Sequence, residues 1–365
     1  RSIYPAVTSP HPGDRGASVQ ELHRRLNEAG HQVDSREVKS TEFGADTSRA
    51  LLAFQAERSL EETGLFDEQT HSALVEAGVR LGDRHLYLHT QMFRGDDVSD
   101  LQLHLGNLGF DAGKIDGIFG PDTAAAVVDF QRNVGLATDG IAGPQTLRGL
   151  RHLLGRTADH RPVAQIRELE LLRQSNSELR DQRLAIGHFG GAAALTSALA
   201  RILRAAGAYV LELDHPDETI HASTANNFGA AMYMGIQIEN GSYNRISYFA
   251  TESFQSEGGF RLAHRCADAL DAVFALDQSK SGTPTSKEHQ SEQKAQSSTR
   301  EARRNEILRR TRMPAVMCTL APPATIVLAT AEVATALASA ITGWMANPAA
   351  DPVNNPPTSR ETRPL

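Results

Sequence analysis

Four side chains in the C-terminal half, His188, His215, His221 and Glu239, are of the types that hold a divalent metal. Imidazole nitrogens and a carboxylate are what zinc takes as ligands, and a bound zinc acidifies water for hydrolysis. The same four read more readily as packed or solvated residues, because their spacing follows no compact ligand motif. Cys266 and Cys318 are the only cysteines, without the spacing of a zinc knuckle, a redox pair or a disulfide framework. The segment Gly187-His188-Phe189-Gly190-Gly191 is glycine-rich, but has neither the order of a phosphate-cradling P-loop nor that of a dinucleotide fold.

Such residues need elements to position them. A length of 365 residues predicts more than one domain. The composition, 40% hydrophobic and 22% charged, is that of a globular chain and excludes collagen-like or wholly disordered classes. A net charge of -7 provides no global cationic field, so nucleic acid is not an expected partner. The sequence starts at Arg1 without a methionine or an apolar signal-peptide core, as expected of a processed chain, a fragment or a chain made without a cleavable signal, and the few cysteines leave the compartment open with a reducing one favoured. Ala324 to Met345 is apolar but rich in Ala and Thr and interrupted by Glu332, so it reads as a buried helix rather than a membrane span.

The first 150 residues repeat. Arg15-Gly16, Val19, Leu22, Leu26 and Gly30 recur as Arg94-Gly95, Val98, Leu101, Leu105 and Gly109; Phe43-Gly44, Asp46-Thr47, Phe54-Gln55, Gly64 and Thr70 recur as Phe119-Gly120, Asp122-Thr123, Phe130-Gln131, Gly140 and Thr146. The offset drops by three between the two sets, which places three extra loop residues in the first copy. Apolar spacing predicts three short helices per copy, with Asp96-Asp97 capping the first helix of copy two, Gly109 ending it and Pro121-Asp122 opening the next. Asp116-Gly117 and Asp139-Gly140 read as tight turns.

The order Arg-Gly, Leu-Gln, Leu-Gly-Phe, Asp-Gly-Ile-Phe-Gly-Pro-Asp-Thr, Phe-Gln, Asp-Gly-Ile-Ala-Gly-Pro-Gln-Thr-Leu resembles the three-helix peptidoglycan-binding module of bacterial cell-wall hydrolases. The resemblance implies modules at 14–80 and 90–152, after a tail at 1–13. It also implies a glycan-peptide groove, for which Asp116, Gly117, Phe119, Thr123 and Gln131 are the candidate ligand-binding residues, flanked by Tyr87 and His104. The same Phe119 also reads as core, and Asp116 and Asp139 as turn formers.

Residues 153–182 read as a charged linker or connecting helix, and from 183 the pattern alternates. Strands are expected at Leu184-Ile186, Tyr209-Leu213, Met232-Ile238, Ile246-Ala250 and Pro314-Met317. Helices are expected at Leu195-Ala206, Ala222-Ala231, Phe260-Leu276 and Ala331-Trp344, so the fold class is multidomain: two all-α modules, then an α/β domain with a mostly parallel sheet flanked by helices. Residues 277–299 lack large apolar side chains and read as a mobile insertion, as the tail 347–365 does. The six arginines within Arg300 to Arg312 read as a solvated helix face or as an anionic docking patch.

Within 183–346, Ala225-Asn226, Gly229-Ala230, the strand to Ile238 and Met313-Pro314-Ala315-Val316 resemble the zinc-dependent N-acetylmuramoyl-L-alanine amidase domain. The family holds zinc with two His and one Glu and takes the water's proton with a second Glu. Carried onto this chain, the first ligand falls on His188, and no Asp or Glu occurs from His188 to Leu211 to serve as the second. The third ligand falls on Gln237 and the catalytic Glu on Thr319. A neutral amide is a poor zinc ligand, and a hydroxyl without a base does not abstract protons at neutral pH. The resemblance therefore implies no catalytic residue, no metal site and no cofactor. It points to a regulator of actinobacterial cell-wall precursor synthesis that binds peptidoglycan or muropeptides and docks on a precursor enzyme or a membrane-associated partner, with a cytoplasmic or membrane-associated location expected, or the cell wall if a signal has been removed. The alternative is an active zinc amidase cleaving the lactyl-alanine amide.

Overall fold

A computed structural model describes residues 10–154, 163–175, 178–251, 254–280, 298–303 and 305–350. Residues 1–9 of the expected tail at 1–13, most of the insertion (281–297) and the end of the C-terminal tail (351–365) lie outside the described residues.

The first module comprises α1 (Ala17–Glu28), α2 (Ser35–Ser40), α3 (Ala45–Glu57) and α4 (Glu68–Ala77), and the second α5 (Asp96–Asn107), α6 (Pro121–Asn133) and α7 (Pro144–Leu154). Each encloses its own apolar centre, around Leu22, Leu51 and Phe54 in the first and Leu101, Phe119 and Phe130 in the second. The loop that carries three extra residues in copy one forms α2. From it Glu37 accepts hydrogen bonds from Gly44 N, Asp46 N and Thr47 N at 2.8–3.1 Å, satisfying free amides at the start of α3. One expectation is corrected. The cap of α5 is Gly95, at φ 150°, where a side chain would be strained, while Asp96 and Asp97 lie in the first turn. Asp97 is buried and held by Arg84 Nε at 2.8 Å.

The repeated Phe-Gln pair has a physical cause. Gln131 Nε2 donates to Asp139 Oδ1, Ile141 O and Thr146 Oγ1, while its Oε1 accepts from Gly140 N. Gln55 does the same for Thr63, Leu65, Thr70 and Gly64 in copy one. A buried amide satisfied on both its donor and acceptor sides fixes the following turn rigidly.

Helix α8 (Val163–Gln174) connects to the α/β domain, and Glu168 on it accepts from Ser256 Oγ, Glu257 N and Gly258 N, capping α11 (Glu257–Lys280). The described strands are β1 (Arg183–His188), β2 (Tyr209–Asp214), β3 (Met232–Ile238), β4 (Arg245–Phe249), β5 (Thr299–Arg303) and β6 (Ala315–Leu320), in the order β2-β1-β3-β6-β4-β5. The first four in that order are mutually parallel, β4 runs antiparallel to β6, and β5 is parallel to β4. One face packs on α9 (Ala193–Ala205), α11 and α14 (Thr330–Ala346) through Ile186, Met234, Val316 and Leu337. The other meets α10 (Glu218–Phe228) and α12 (Glu306–Arg310), and Ile115 of module two inserts among Ala185, Tyr233, Phe249 and Leu308. The second module thus supplies part of the layer that a sheet buried on both faces requires.

Two readings of the later chain are corrected. Arg300 to Arg312 is not a solvated helix: Thr299–Arg303 is an edge strand, and Arg309 on α12 is buried. The expected insertion is shorter, since α11 runs to Lys280 and Ser298 N is held by Asp271 Oδ1 at 2.6 Å. The apolar run near residue 324 divides into α13 (Pro323–Leu328) and α14, and among the described residues no helix is long and apolar enough to cross a membrane. The start of the expected tail is packed, with Ala349 against the main core.

Candidate functional site

In an open α/β sheet, reacting groups gather beyond the carboxyl ends of the parallel strands. There β1 ends on His188, β3 passes through Gln237 and β6 through Thr319. Register partners on adjacent strands point to one face, and successive residues to opposite faces. Gln237 pairs directly with Thr319, whereas His188 pairs with Ile236, so His188 projects to the face opposite to that of Gln237 and Thr319. His188 Nδ1 accepts from Gly190 N at 3.3 Å and lies 3.5 Å from Asp214 Oδ1. On the far side of Thr319 its antiparallel partner is Arg245, whose guanidinium binds Glu239 Oε2 at 2.7 Å and lies 3.6 Å from Glu61 Oε1 of module one.

The remaining candidate ligands are spent separately. His221 is fully buried: its Nδ1 is 2.8 Å from the Tyr233 hydroxyl and its ring stacks on Phe189 at 4.6 Å. Burial lowers its pKa, favouring the neutral ring. Gly187 makes the arrangement possible, since a Cβ there would fall 2.3 Å from His221 Nδ1. His215 Nδ1 accepts from Asp217 N at 2.9 Å, and Glu239 is paired with Arg245. Among the described residues no group of three or more His, Cys, Asp or Glu is placed to hold a metal. The donor set does not fit zinc: an amide and a hydroxyl face one way and a lone imidazole the other, and the register partner of the hydroxyl residue is an arginine.

The five candidate ligand-binding residues of module two are placed as follows. Phe119 is fully buried and offers no stacking face. Thr123 is buried, its Oγ1 donating to Ala112 O and accepting from Gln102 Nε2. Gln131 is committed to the turn at Asp139. Asp116 accepts from Gln102 Nε2 and Ile118 N, and Gly117 lies beside it at φ 71°. Asp116, Gly117 and Thr123 share the lock made by Gln102, while Gln131 belongs to the next turn. Of the flanking pair, Tyr87 is 39% exposed and His104 half-buried.

Sequence reasoning missed the residues that join the modules to the α/β domain. Arg309 donates Nε to Asp116 O and Nη2 to Gly117 O, and its Nη1 bridges both oxygens of Glu76 from module one. Lys114 donates to Leu308 O and Thr311 O over the ring of Phe249, and burial lowers its amine pKa to about 8. Arg94 Nη1 binds Glu306 Oε1 at 2.6 Å. Only the density of arginine near residue 309 signalled this interface in advance.

Comparison with known proteins agrees with the repeat. A family model described as a putative peptidoglycan binding domain matches residues 15–74 and 94–150. The N-acetylmuramoyl-L-alanine amidase CwlM of Mycobacterium tuberculosis is 43% identical over 182 residues, 48% of this chain and 45% of that protein. A probable N-acetylmuramoyl-L-alanine amidase of Bacillus licheniformis is 29% identical over 157 residues, 39% of this chain and 44% of its own length. The chain thus spans less than half the length of these relatives. Among solved structures, the CwlD amidase of Clostridioides difficile in complex with the GerS lipoprotein aligns with a TM-score of 0.31 at 12% identity, covering 45% of this chain and 98% of that one. Over about half of its length the chain is thus similar to CwlM, and its two N-terminal modules match the putative peptidoglycan binding domain.

Proposed function

We propose that this protein works by recognition: its modules bind peptidoglycan or muropeptide precursors, and its amidase-like domain serves as a docking scaffold in the regulation of cell-wall synthesis, on a precursor enzyme or a membrane-associated partner. The observation that carries this reading is the pairing of Gln237 with Thr319 at the strand ends where the amidase family needs an imidazole and a carboxylate. Amide hydrolysis at neutral pH requires an activated water and a base to take its proton. Neither side chain is a base, and Arg245, the neighbour of Thr319, is a permanent cation.

The test has two arms. Elemental analysis of the purified chain is expected to find no stoichiometric zinc, and incubation with peptidoglycan to release no new alanine amino groups. Retained zinc together with amine release would establish the amidase activity named for the relatives and end this proposal. Titration with soluble muropeptides is expected to give saturable binding.

A further inference from the structure

The segment before α5 builds an aromatic groove on one side of the second module, with Phe93 packed on the module's core and Tyr87 left exposed. Tyr87 meets Phe93 edge to face at 5.2 Å and His89 at 6.1 Å, and the Arg84 guanidinium lies 5.1 Å from the Phe93 ring centre. With Arg94 and Arg310 these residues line a groove of about 810 Å³. By the repeat offset, Tyr87, His89 and Phe93 correspond to Thr8, Pro10 and Asp14 in copy one, so the three rings are particular to module two. Tyr87 stays substantially exposed at a position where copy one manages with a small polar residue.

The chemistry of the groove selects its ligand. A partly exposed phenol braced by two rings is a stacking platform with a polar edge, suited to the apolar face of a pyranose. His89 Nδ1 accepts from Gln91 N at 3.1 Å, which assigns the ring proton to Nε2 in the neutral form and leaves that nitrogen as a donor. Arg94 and Arg310 both bind Glu306, at 2.6 and 3.0 Å, so two guanidinium groups share one carboxylate and a positive charge is left over.

We propose that this groove is the saccharide-binding site of the protein, with an aminosugar ring stacked on Tyr87 and the carboxylates of an attached acidic peptide drawn to Arg94 and Arg310. The proposal rests on the recognition reading above and moves the contact from the buried Phe119 to the exposed Tyr87. Because Arg310 belongs to the α/β domain, the ligand spans the junction between module and domain.

The experiment is a titration of the full chain with disaccharide-peptide fragments released from peptidoglycan by a muramidase, and with the peptide-free disaccharide. Tyr87→Ala should weaken fragment binding about tenfold, the loss of one good stacking contact, and Tyr87→Phe should restore most of it. Leu328→Ala, an exposed apolar change far along the chain, serves as the control and should bind as the parent does. The peptide-bearing fragment should bind more tightly than the bare disaccharide, with the difference shrinking as salt is raised. If the parent chain binds and Tyr87→Ala binds equally well with an unchanged melting curve, the groove is not the site, and the recognition reading survives. If the parent binds neither probe, the recognition reading falls and takes the groove with it. Equal affinity for the two probes would remove the arginines from the proposal.

Discussion

Arg309 Nη1 lies 2.9 and 3.0 Å from the two carboxylate oxygens of Glu76, joining the end of the first module to a short helix of the α/β domain more than two hundred residues away. Both side chains are nearly buried, at 6% and 11% exposure. Removing one member of such a pair strands the other without water, at a cost of ~3–5 kcal/mol. Arg309 also holds two carbonyls of the second module, so a single guanidinium fastens three parts of the chain.

The first prediction follows. Arg309→Ala should uncouple the modules from the α/β domain, splitting one urea transition into two and lowering the stability of the assembly by ~3 kcal/mol. Glu76→Ala should do nearly the same, and the double variant little more, because the losses share one contact. Equilibrium denaturation followed by far-ultraviolet circular dichroism checks this. A single unshifted transition in Arg309→Ala would refute the fastening role.

Glu37 makes a second case. Burial pushes its carboxyl upward, but hydrogen bonds from Thr47 Oγ1 and from the amides of Asp46, Thr47 and Gly44 outweigh burial and hold its pKa below the usual 4.5. A folded value below the unfolded one adds stability that is complete above pH 4.5 and is lost as pH falls through the folded value. Glu37→Ala should cost ~1–2 kcal/mol at neutral pH, as loss of a helix cap does, and the gap from the parent should narrow in acid. Thermal melts at pH 7 and pH 3 measure it, and a pH-independent gap would contradict the account.

Lys114 reverses the sign. Burial lowers its amine from 10.5 to about 8, so between these values the unfolded chain binds more protons than the folded one, and stability rises with pH. The penalty is in full force below pH 8 and relieved by pH 10.5. Measured against Lys114→Met, the parent should gain stability as pH climbs from 7 to 10. A flat difference would mean that the amine stays solvated.

Placing an imidazole at position 237 and a carboxylate at position 319 should not create a zinc hydrolase. The combination Gln237→His and Thr319→Glu supplies an imidazole and a carboxylate on one face, but His188 faces the other way, and the new carboxylate would meet Arg245. No acid occurs between His188 and Leu211 to complete a ligand set. The double variant is expected to bind no stoichiometric zinc and to release no alanine amines. Turnover by that variant would show that the missing ligand comes from elsewhere.

The linear pattern was sufficient for whatever depends on local period and turn chemistry. Offsets between the two Phe-Gln and Asp-Gly sets located both modules, and alternation of apolar runs with helical spacing located β1, β2, β3 and their crossovers, because side-chain direction along a helix or strand follows directly from its repeat. It also showed that positions 237 and 319 carry an amide and a hydroxyl, since that chemistry belongs to the side chain itself. Folding in three dimensions decided the rest. That Gln131 faces a turn eight residues on, that Ile115 completes the core of a different domain, that Arg309 is a buried fastener rather than a solvated charge, and that Tyr87 rather than Phe119 meets solvent all depend on which surfaces approach one another. Those approaches are set by burial and charge pairing between distant segments, which no local spacing encodes.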